Sequence, residues 1–407
     1  MINVLYWSAV RLSTGEMMTE ELFRQDGYVS EFEAEVVEVK GDWVRLDGTA
    51  FYPGGGGQVC DTGTIGGCRV TEVKYEGKDI VHKVPGNGFN AGDRLWCSVD
   101  WERRYDLMKG HTAEHILFNS LHRQDPDLEI VKIFISPESK YVIIDRDMEL
   151  SKIADAVRFA NQVVADNLPV TKSVMSKDDP EISTVRIKLE RIEEDEVTVV
   201  EIGDVDKAAC SGVHVMETSE IGTIYVSRKV SAGKDGFAVH FEVGDKAKAE
   251  AMDLAYTCMQ VIEDLGSKPE DIVRTVSNMK NELEESRRQL KAAVAESLRN
   301  LEPEVVNGTP IYTAVLPTSD KTPAADACEK RKSEGGVCAF VCKGQTLTVM
   351  IASGNKSADC KKILADTMAE FGGRGGGKPD FAQGGVPDTD KADAVLEFMR
   401  AAILQSL

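Results

Sequence analysis

The stretch HTAEHILFNSLH, residues 111–122, holds three of the chain's six histidines. His111 and His115 stand four apart. On an α-helix that spacing puts two imidazoles on one face, one turn apart. Both can then reach a single Zn²⁺, whose nitrogen ligands sit at about 2.0–2.1 Å. Zinc needs further donors, and the remaining histidines are His82, His122, His214 and His240. One of these stands beside a cysteine, in ACSGVHV, where Ser211 and Gly212 form a turn that lets Cys210 and His214 converge. His111, His115, Cys210 and His214 together make an N₃S set for one Zn²⁺ per chain. Glu114 opens a rival, because His111-x-x-Glu114-His115 also reads as H-x-x-E-H, in which the glutamate is a general base. A peptidase of that type wants a carboxylate as third ligand, from a downstream helix. The plain alternative for Glu114 is a solvated helix residue.

The elements that must carry these residues differ along the chain. Residues 1–95 alternate short β-type runs with glycine turns, which predicts a small N-terminal β-barrel. From 101 the apolar residues fall at helical spacing and no proline interrupts them, so His111 and His115 are predicted on a helix. EIVKIFISPESKYVIID reads as a hairpin with PESK as its turn. SKIADAVRFANQVVADN reads as an amphipathic helix capped by Ser151. Strands return at TVRIKL, VTVVEIG and GTIYVSRKVS. The mixture gives an α+β domain over 96–245. Residues 246–303 read as a helical, coiled-coil linker with a break at SKPED. Residues 304–407 read as an α/β domain whose two helices flank a glycine-rich loop, GGRGGGKPDFAQGGV.

Composition bounds the function. At 407 residues the chain is too long for one compact core. The formal charge of −20 argues against coating nucleic acid, DNA included, through bulk electrostatics. It leaves room for local basic patches: Arg103 and Arg104 with Lys109, the run EKRK at 329–332, and Lys361, Lys362, Arg374 and Lys378. Each of these also reads as a solvated face. The acid concentrates in ERIEEDEVTVVEIGDVD at 190–206. The first residues, MINVLYWSAV, lack the basic start of a signal peptide, and no apolar run is long enough to span a bilayer. Nine cysteines without regular spacing read as reduced thiols of a cytoplasmic protein.

Four separated motifs resemble a known family. FYPGGGGQVCDTG at 51–63, HTAEHIL at 111–117 and CSGVHV at 210–215 are similar to signatures of AlaX, the free-standing alanyl-tRNA editing proteins, in their long form. Their catalytic part resembles the editing domain of alanyl-tRNA synthetase. GGRGGGKPDFAQGG at 372–385 is similar to the signature of the DHH-associated domain that ends many alanyl-tRNA synthetases. The chain departs from the usual pattern at Ser211 and Val213, in place of Gly and Thr, and at Gly54, in place of Glu. Val213 removes a hydroxyl beside the ligands.

The resemblance implies His111, His115, Cys210 and His214 as zinc ligands and an aminoacyl-tRNA deacylase acting on mischarged tRNA(Ala), with serine or glycine on the acceptor. A synthetase site made for alanine cannot strongly reject an added hydroxyl or a lost methyl, so a second site is needed. It also leaves Gly56, Gly57 and Gln58 to line the pocket or touch the terminal adenosine, unless they form only a tight turn tied by Asp61. Arg374 and Lys378 would grip tRNA phosphate or pack against a dimer mate, and the helical arm or the C-terminal domain would pair two copies. Four protein ligands close a tetrahedral site, so one of them, His214, is expected to be labile. Two rivals stay open: an H-x-x-E-H metallopeptidase, and a non-catalytic tRNA-binding protein with structural zinc. A threonyl-tRNA synthetase editing domain shares the paired motifs as well.

Overall fold

The structure, a computed structural model, describes residues 18–187 and 195–407. The first ten residues, the last two of the strand predicted at TVRIKL and the start of the acidic run at 190–206 therefore lie outside the described residues. The described part of TVRIKL is not a strand: Thr184 ends a short 3-10 turn, Pro180–Thr184, and Arg186 makes a single bridge to Ala208. The chain divides into two compact units, Met1–Gln260 and Val261–Leu407.

The first unit opens with a two-residue strand β1 (Glu20–Glu21) and a single helical turn α1 (Leu22–Gln25). Eight strands follow: β2 (Glu31–Lys40), β3 (Trp43–Leu46), β4 (Gly48–Thr49), β5 (Gly63–Ile65), β6 (Cys68–Val70), β7 (Glu72–Glu76), β8 (Asp79–Lys83) and β9 (Arg94–Val99). β4 pairs with β1, and the other seven form one sheet in the order β6-β5-β9-β2-β3-β8-β7. Its two edge strands, β6 and β7, are separated in sequence by Thr71 alone, so the sheet must curl until its edges meet. A nearly closed barrel results. Alternation along β2 and β3 sends Phe32, Ala34, Val36, Val44 and Leu46 inward, each at most 4% exposed.

Helix α2 (Trp101–Gln124) leaves the barrel directly after β9, and every residue from Gly110 to Phe118 is buried. A helix buried all round has no solvent face for its polar residues. His111, Thr112, Glu114 and His115 therefore point into a polar site inside the protein. Around α2 lie β10 (Ile130–Ile135), β11 (Lys140–Ile144), α3 (Leu150–Ala165), β12 (Val170–Ser176), β13 (Glu196–Ile202), β14 (Asp206–Ala209), β15 (Ile224–Ser231) and β16 (Phe237–Val243). They form a four-stranded sheet, β10-β11-β16-β15, and a three-stranded one, β12-β13-β14. Helix α3 starts at Leu150 with Glu149 at its cap position, so Ser151 is not the cap.

A single core joins Phe32 and Phe51 of the barrel to Ala113 and Leu117 of α2 and Val142 and Val239 of the four-stranded sheet. The boundary predicted between 95 and 96 thus falls inside β9 and inside a shared core. Lys140, wholly buried, binds Asp106 of α2 at 2.9 Å and Glu242 of β16 at 3.2 Å, tying helix to sheet. The unit ends in α4 (Gly244–Asp264), which runs past Gln260.

The second unit contains α5 (Ile272–Arg299), β17 (Glu304–Val306), β18 (Thr309–Leu316), α6 (Thr322–Ser333), β19 (Val337–Lys343), β20 (Leu347–Ser353), α7 (Cys360–Phe371), β21 (Arg374–Lys378), β22 (Phe381–Val386) and α8 (Ala392–Ser406). Its sheet runs β17-β18-β19-β20-β22-β21, with only β18 and β19 parallel. β19 is apolar on both faces. Val337, Ala339 and Val341 enter the core with α7 and α8, while Cys338, Phe340 and Cys342 enter the core with α6 and the end of α5. The stretch predicted as a glycine-rich loop is instead the antiparallel hairpin β21–β22. Its glycines allow close pairing: a Cβ on Gly377 would lie 2.4 Å from the Ala382 Cα. The protein is α+β throughout.

Candidate metal centre

The donor atoms of His111, His115, Cys210 and His214 all lie within 4.8 Å of one another. The Cys210 Sγ is 3.4 Å from His111 Nε2 and 3.3 Å from His214 Nε2. Helix α2 supplies two imidazoles. The turn after β14 supplies the thiol and the third imidazole, and it is fixed by the Cys210 N–H donating to the Thr198 carbonyl at 2.9 Å. Gly212 lets this turn lie against the helix, since a Cβ there would come within 2.3 Å of the His111 ring.

Each imidazole is held from behind through Nδ1. The Gln58 Oε1 accepts from His111 at 2.7 Å, and the Asp206 carboxylate accepts from His115 at 2.8 Å. Thr112 donates its hydroxyl proton to the Met108 carbonyl at 3.0 Å, so its oxygen accepts from His214 Nδ1 at 3.2 Å. With all three Nδ1 atoms protonated, three Nε2 lone pairs face the centre. This is how metal-ligating histidines are oriented. Asp206 is in turn gripped by Arg186, at 2.9 Å through Nη2 and 3.3 Å through Nε.

Electrostatics match the geometry. Burial opposes ionisation of Cys210, but the neighbouring His111 and His214 imidazoles outweigh it and hold the thiol well below its ordinary pKa. Burial would lower the pKa of His115. The bond to Asp206 and the adjoining thiol reverse this and raise it to about 10. Burial and the His111 ring push His214 down to about 3. A bound cation would take the place of the proton that His115 holds without it.

Glu114 is wholly buried, which raises its pKa, so the solvated alternative does not hold. Both of its oxygens lack a hydrogen-bond partner among the described residues, and Oε2 lies 4.0 Å from His115 Nε2.

Of the other predicted site residues, Gln58 reaches the centre through His111. Gly57, with φ +92° and Ile133 O 2.6 Å from any added Cβ, lets the glycine loop join β10, where Gly57 O accepts from Ile135 N at 2.8 Å. Gly56 and Gly57 border a cavity of 1120 Å³ that extends to Phe118, Arg186 and Asp206. A second cavity of 570 Å³ has His214 and Gly212 in its wall. Asp61 ties the turn: it accepts from Tyr52 N at 2.7 Å. Arg104 corrects the expectation of an RNA contact. It is wholly buried, pairs with Asp61, and donates to the carbonyls of Gly27 and Ala50. Arg103 is half-buried and donates to the Cys60 carbonyl at 3.1 Å. Arg374 and Lys378 belong to the second unit, exposed on the edge strand β21. Val213 is 2% exposed, belongs to the core beside Gly27, and borders the second cavity with His214. Sequence reasoning missed Asp206, Arg186 and Thr112.

Three family models match in order along the chain. They are tRNA synthetases class II (A) at residues 16–103, the second additional domain of threonyl and alanyl tRNA synthetases at 197–235, and the DHHA1 domain at 320–405. With this domain order the chain belongs with the alanyl-tRNA synthetases and their free-standing relatives, AlaX of the long form. The alanyl-tRNA editing protein AlaX-L of Pyrococcus horikoshii is 27% identical over 404 residues, covering 94% of this chain and 99% of that protein. The alanine–tRNA ligase of Methanoregula boonei is 30% identical over 413 residues, covering 96% of this chain but 44% of the ligase. The chain thus spans less than half the length of the curated ligases that it matches. Among solved structures, the C-Ala domain of Aquifex aeolicus alanyl-tRNA synthetase aligns with 26% of this chain and 99% of that domain, at 19% identity and a TM-score of 0.24. Among the described residues no helix is long and apolar enough to cross a membrane.

Proposed function

We propose that the chain is a trans-editing hydrolase that deacylates mischarged tRNA(Ala), Ser-tRNA(Ala) foremost and Gly-tRNA(Ala) second, at one Zn²⁺ held by His111, His115, Cys210 and His214. The observation that carries this reading is the convergence of three Nε2 atoms and one thiolate from two distant segments. Imidazole and thiolate donors suit zinc. An S–Zn–N tetrahedron has an S···N edge of about 3.5 Å, and the two measured edges are 3.4 and 3.3 Å. Likeness to AlaX-L over nearly the whole chain supports the substrate.

When bound, the ion supplies a Lewis acid beside the ester. The chain's own residues do the rest. Gln58, Asp206 and Thr112 lock the imidazoles. His214, whose Nδ1 bond of 3.2 Å is the longest of the three, is the least firmly backed imidazole and would be the donor most easily displaced. Glu114, buried with both carboxylate oxygens unbonded and Oε2 4.0 Å from His115 Nε2, would serve as general base only if substrate binding brings a water to it. The H-x-x-E-H peptidase loses ground because the further donors are Cys210 and His214 rather than a carboxylate. A structural zinc remains the rival, favoured by four protein donors that complete a tetrahedron. Nine free cysteines suit a reducing compartment, the cytoplasm. Exposed Val276, Met279, Leu283 and Leu290 on α5, spaced by three, four and seven, support pairing with a second copy.

The test is deacylation of serine, glycine, threonine and alanine esters on tRNA(Ala), with and without chelator. The expected result is chelator-sensitive loss of serine and glycine with alanine spared. Tight tRNA binding with an unchanged ester lifetime would leave only the structural role.

A further inference from the structure

Of the two cavities described, only the smaller has a metal donor in its wall. Its floor is the face of the three-stranded sheet that carries Val170, Lys172 and Val174 from β12 and Thr198 and Val200 from β13. Residues Phe23 to Tyr28, Gly212 and His214 line the rest of it. Two cations face this space. Arg24 is already engaged, paired with Glu21 and donating to the Tyr75 hydroxyl at 3.1 Å. Lys172 has no ion pair among the described residues. The acid on the wall, Asp26, accepts from the Tyr28 N–H at 2.8 Å instead. Lys172 itself is exposed to solvent on β12. Lys172 is thus a solvent-reached cation without an ion pair, on a cavity whose wall also holds the candidate ligand His214.

We propose that this cavity seats the terminal nucleoside of the substrate and that Lys172 takes its 5′ phosphate. The proposal rests on the editing reading above. A volume of 570 Å³ falls within the range of small-ligand sites, about 300–1,000 Å³. The ester of a nucleoside bound here faces His214, the donor with the weakest backing, while the phosphate lies at the mouth. A hydrogen bond from an ammonium to phosphate adds roughly tenfold or more in affinity.

The test compares adenosine 5′-monophosphate with adenosine by calorimetry on the zinc-loaded full chain, for the wild type, Lys172→Ala and Lys172→Arg. The wild type should prefer the monophosphate about tenfold. Lys172→Ala should erase that preference while zinc content holds, and Lys172→Arg should keep most of it. A wild type without preference, or an alanine variant that keeps it, overturns the proposal. The serine ester of adenosine 5′-monophosphate then gives the kinetic arm. Lys172→Ala should raise KM about tenfold for this ester and lose that effect with the ester of adenosine. If the wild type hydrolyses neither ester yet loses its phosphate preference in Lys172→Ala, the editing reading fails and the nucleotide seat stands.

Discussion

Asp206 joins the candidate metal centre to the rest of the fold, and its removal tests whether the imidazoles are oriented from behind. Its carboxylate accepts from His115 Nδ1 at 2.8 Å and from Arg186 at 2.9 and 3.3 Å. Its side chain is 4% exposed. The burial that opposes ionisation is outweighed by His115 and Arg186, so Asp206 is held below the ordinary carboxylate range. Loss of such an outer partner costs about 10–100-fold in metal affinity, or about 1.4–2.7 kcal/mol. Asp206→Asn keeps an acceptor for Nδ1 but loses the charge, so it should sit near tenfold. Asp206→Ala loses both and should sit near a hundredfold. The alanine variant also strips Arg186 of its partner. A fully buried guanidinium would then cost about 3–5 kcal/mol of fold stability. Arg186 is 36% exposed at its side chain, so solvent screening reduces this to roughly 1–2 kcal/mol. Competition against a chromophoric chelator reads the first quantity, and urea unfolding of metal-free protein reads the second. Wild-type zinc affinity in Asp206→Ala would refute the reasoning.

Three further perturbations test the packing of the turn, the barrel and the core. Gly212→Ala should abolish zinc binding and cost the metal-free protein about 1–3 kcal/mol in urea, because its Cβ would lie 2.3 Å from the buried His111 ring; retained stoichiometric zinc contradicts this. Arg104→Met should destabilise the protein by about 3–5 kcal/mol in urea by leaving Asp61 unpaired in the core, with RNA affinity little changed; a loss of RNA binding without a loss of stability would restore the contact first expected. His82 is wholly buried and bonded to Thr49 at 2.8 Å and Val44 O at 3.1 Å, and burial lowers its pKa to about 4. The unfolded chain takes up a proton below about pH 6.5 and the native state only below about 4. Stability is therefore lost as pH falls through that window, by about 3 kcal/mol. His82→Gln should flatten this part of the stability profile, and an unchanged slope would count against the assignment.

The donor set was legible because helical periodicity and residue chemistry both act locally. His111 and His115 share a face by spacing alone, and Cys210 and His214 share a turn. The second layer was not, since Gln58, Asp206 and Thr112 meet the imidazoles only through tertiary packing. One signal was available for Asp206: in β14 it alternates with Ala208, which is buried, so the two share the inward face. Arg104 misled because a cation beside other cations looks like a surface patch. Its position on the buried face of α2 makes it a partner for Asp61 instead. The hairpin at 374–386 was taken for a loop because glycine is poor in strands. Here its missing side chains let the edge strand β21 pair closely with β22. The boundary at 95 failed because strand spacing ends there, while the hydrophobic core continues into α2.

X-ray absorption at the zinc edge, on protein purified without added chelator, addresses the centre most directly. The account predicts one zinc per chain with one sulfur at about 2.3 Å and three nitrogens at about 2.0 Å, the sulfur lost in Cys210→Ala. Zinc with no sulfur neighbour, or sulfur retained in Cys210→Ala, would contradict it.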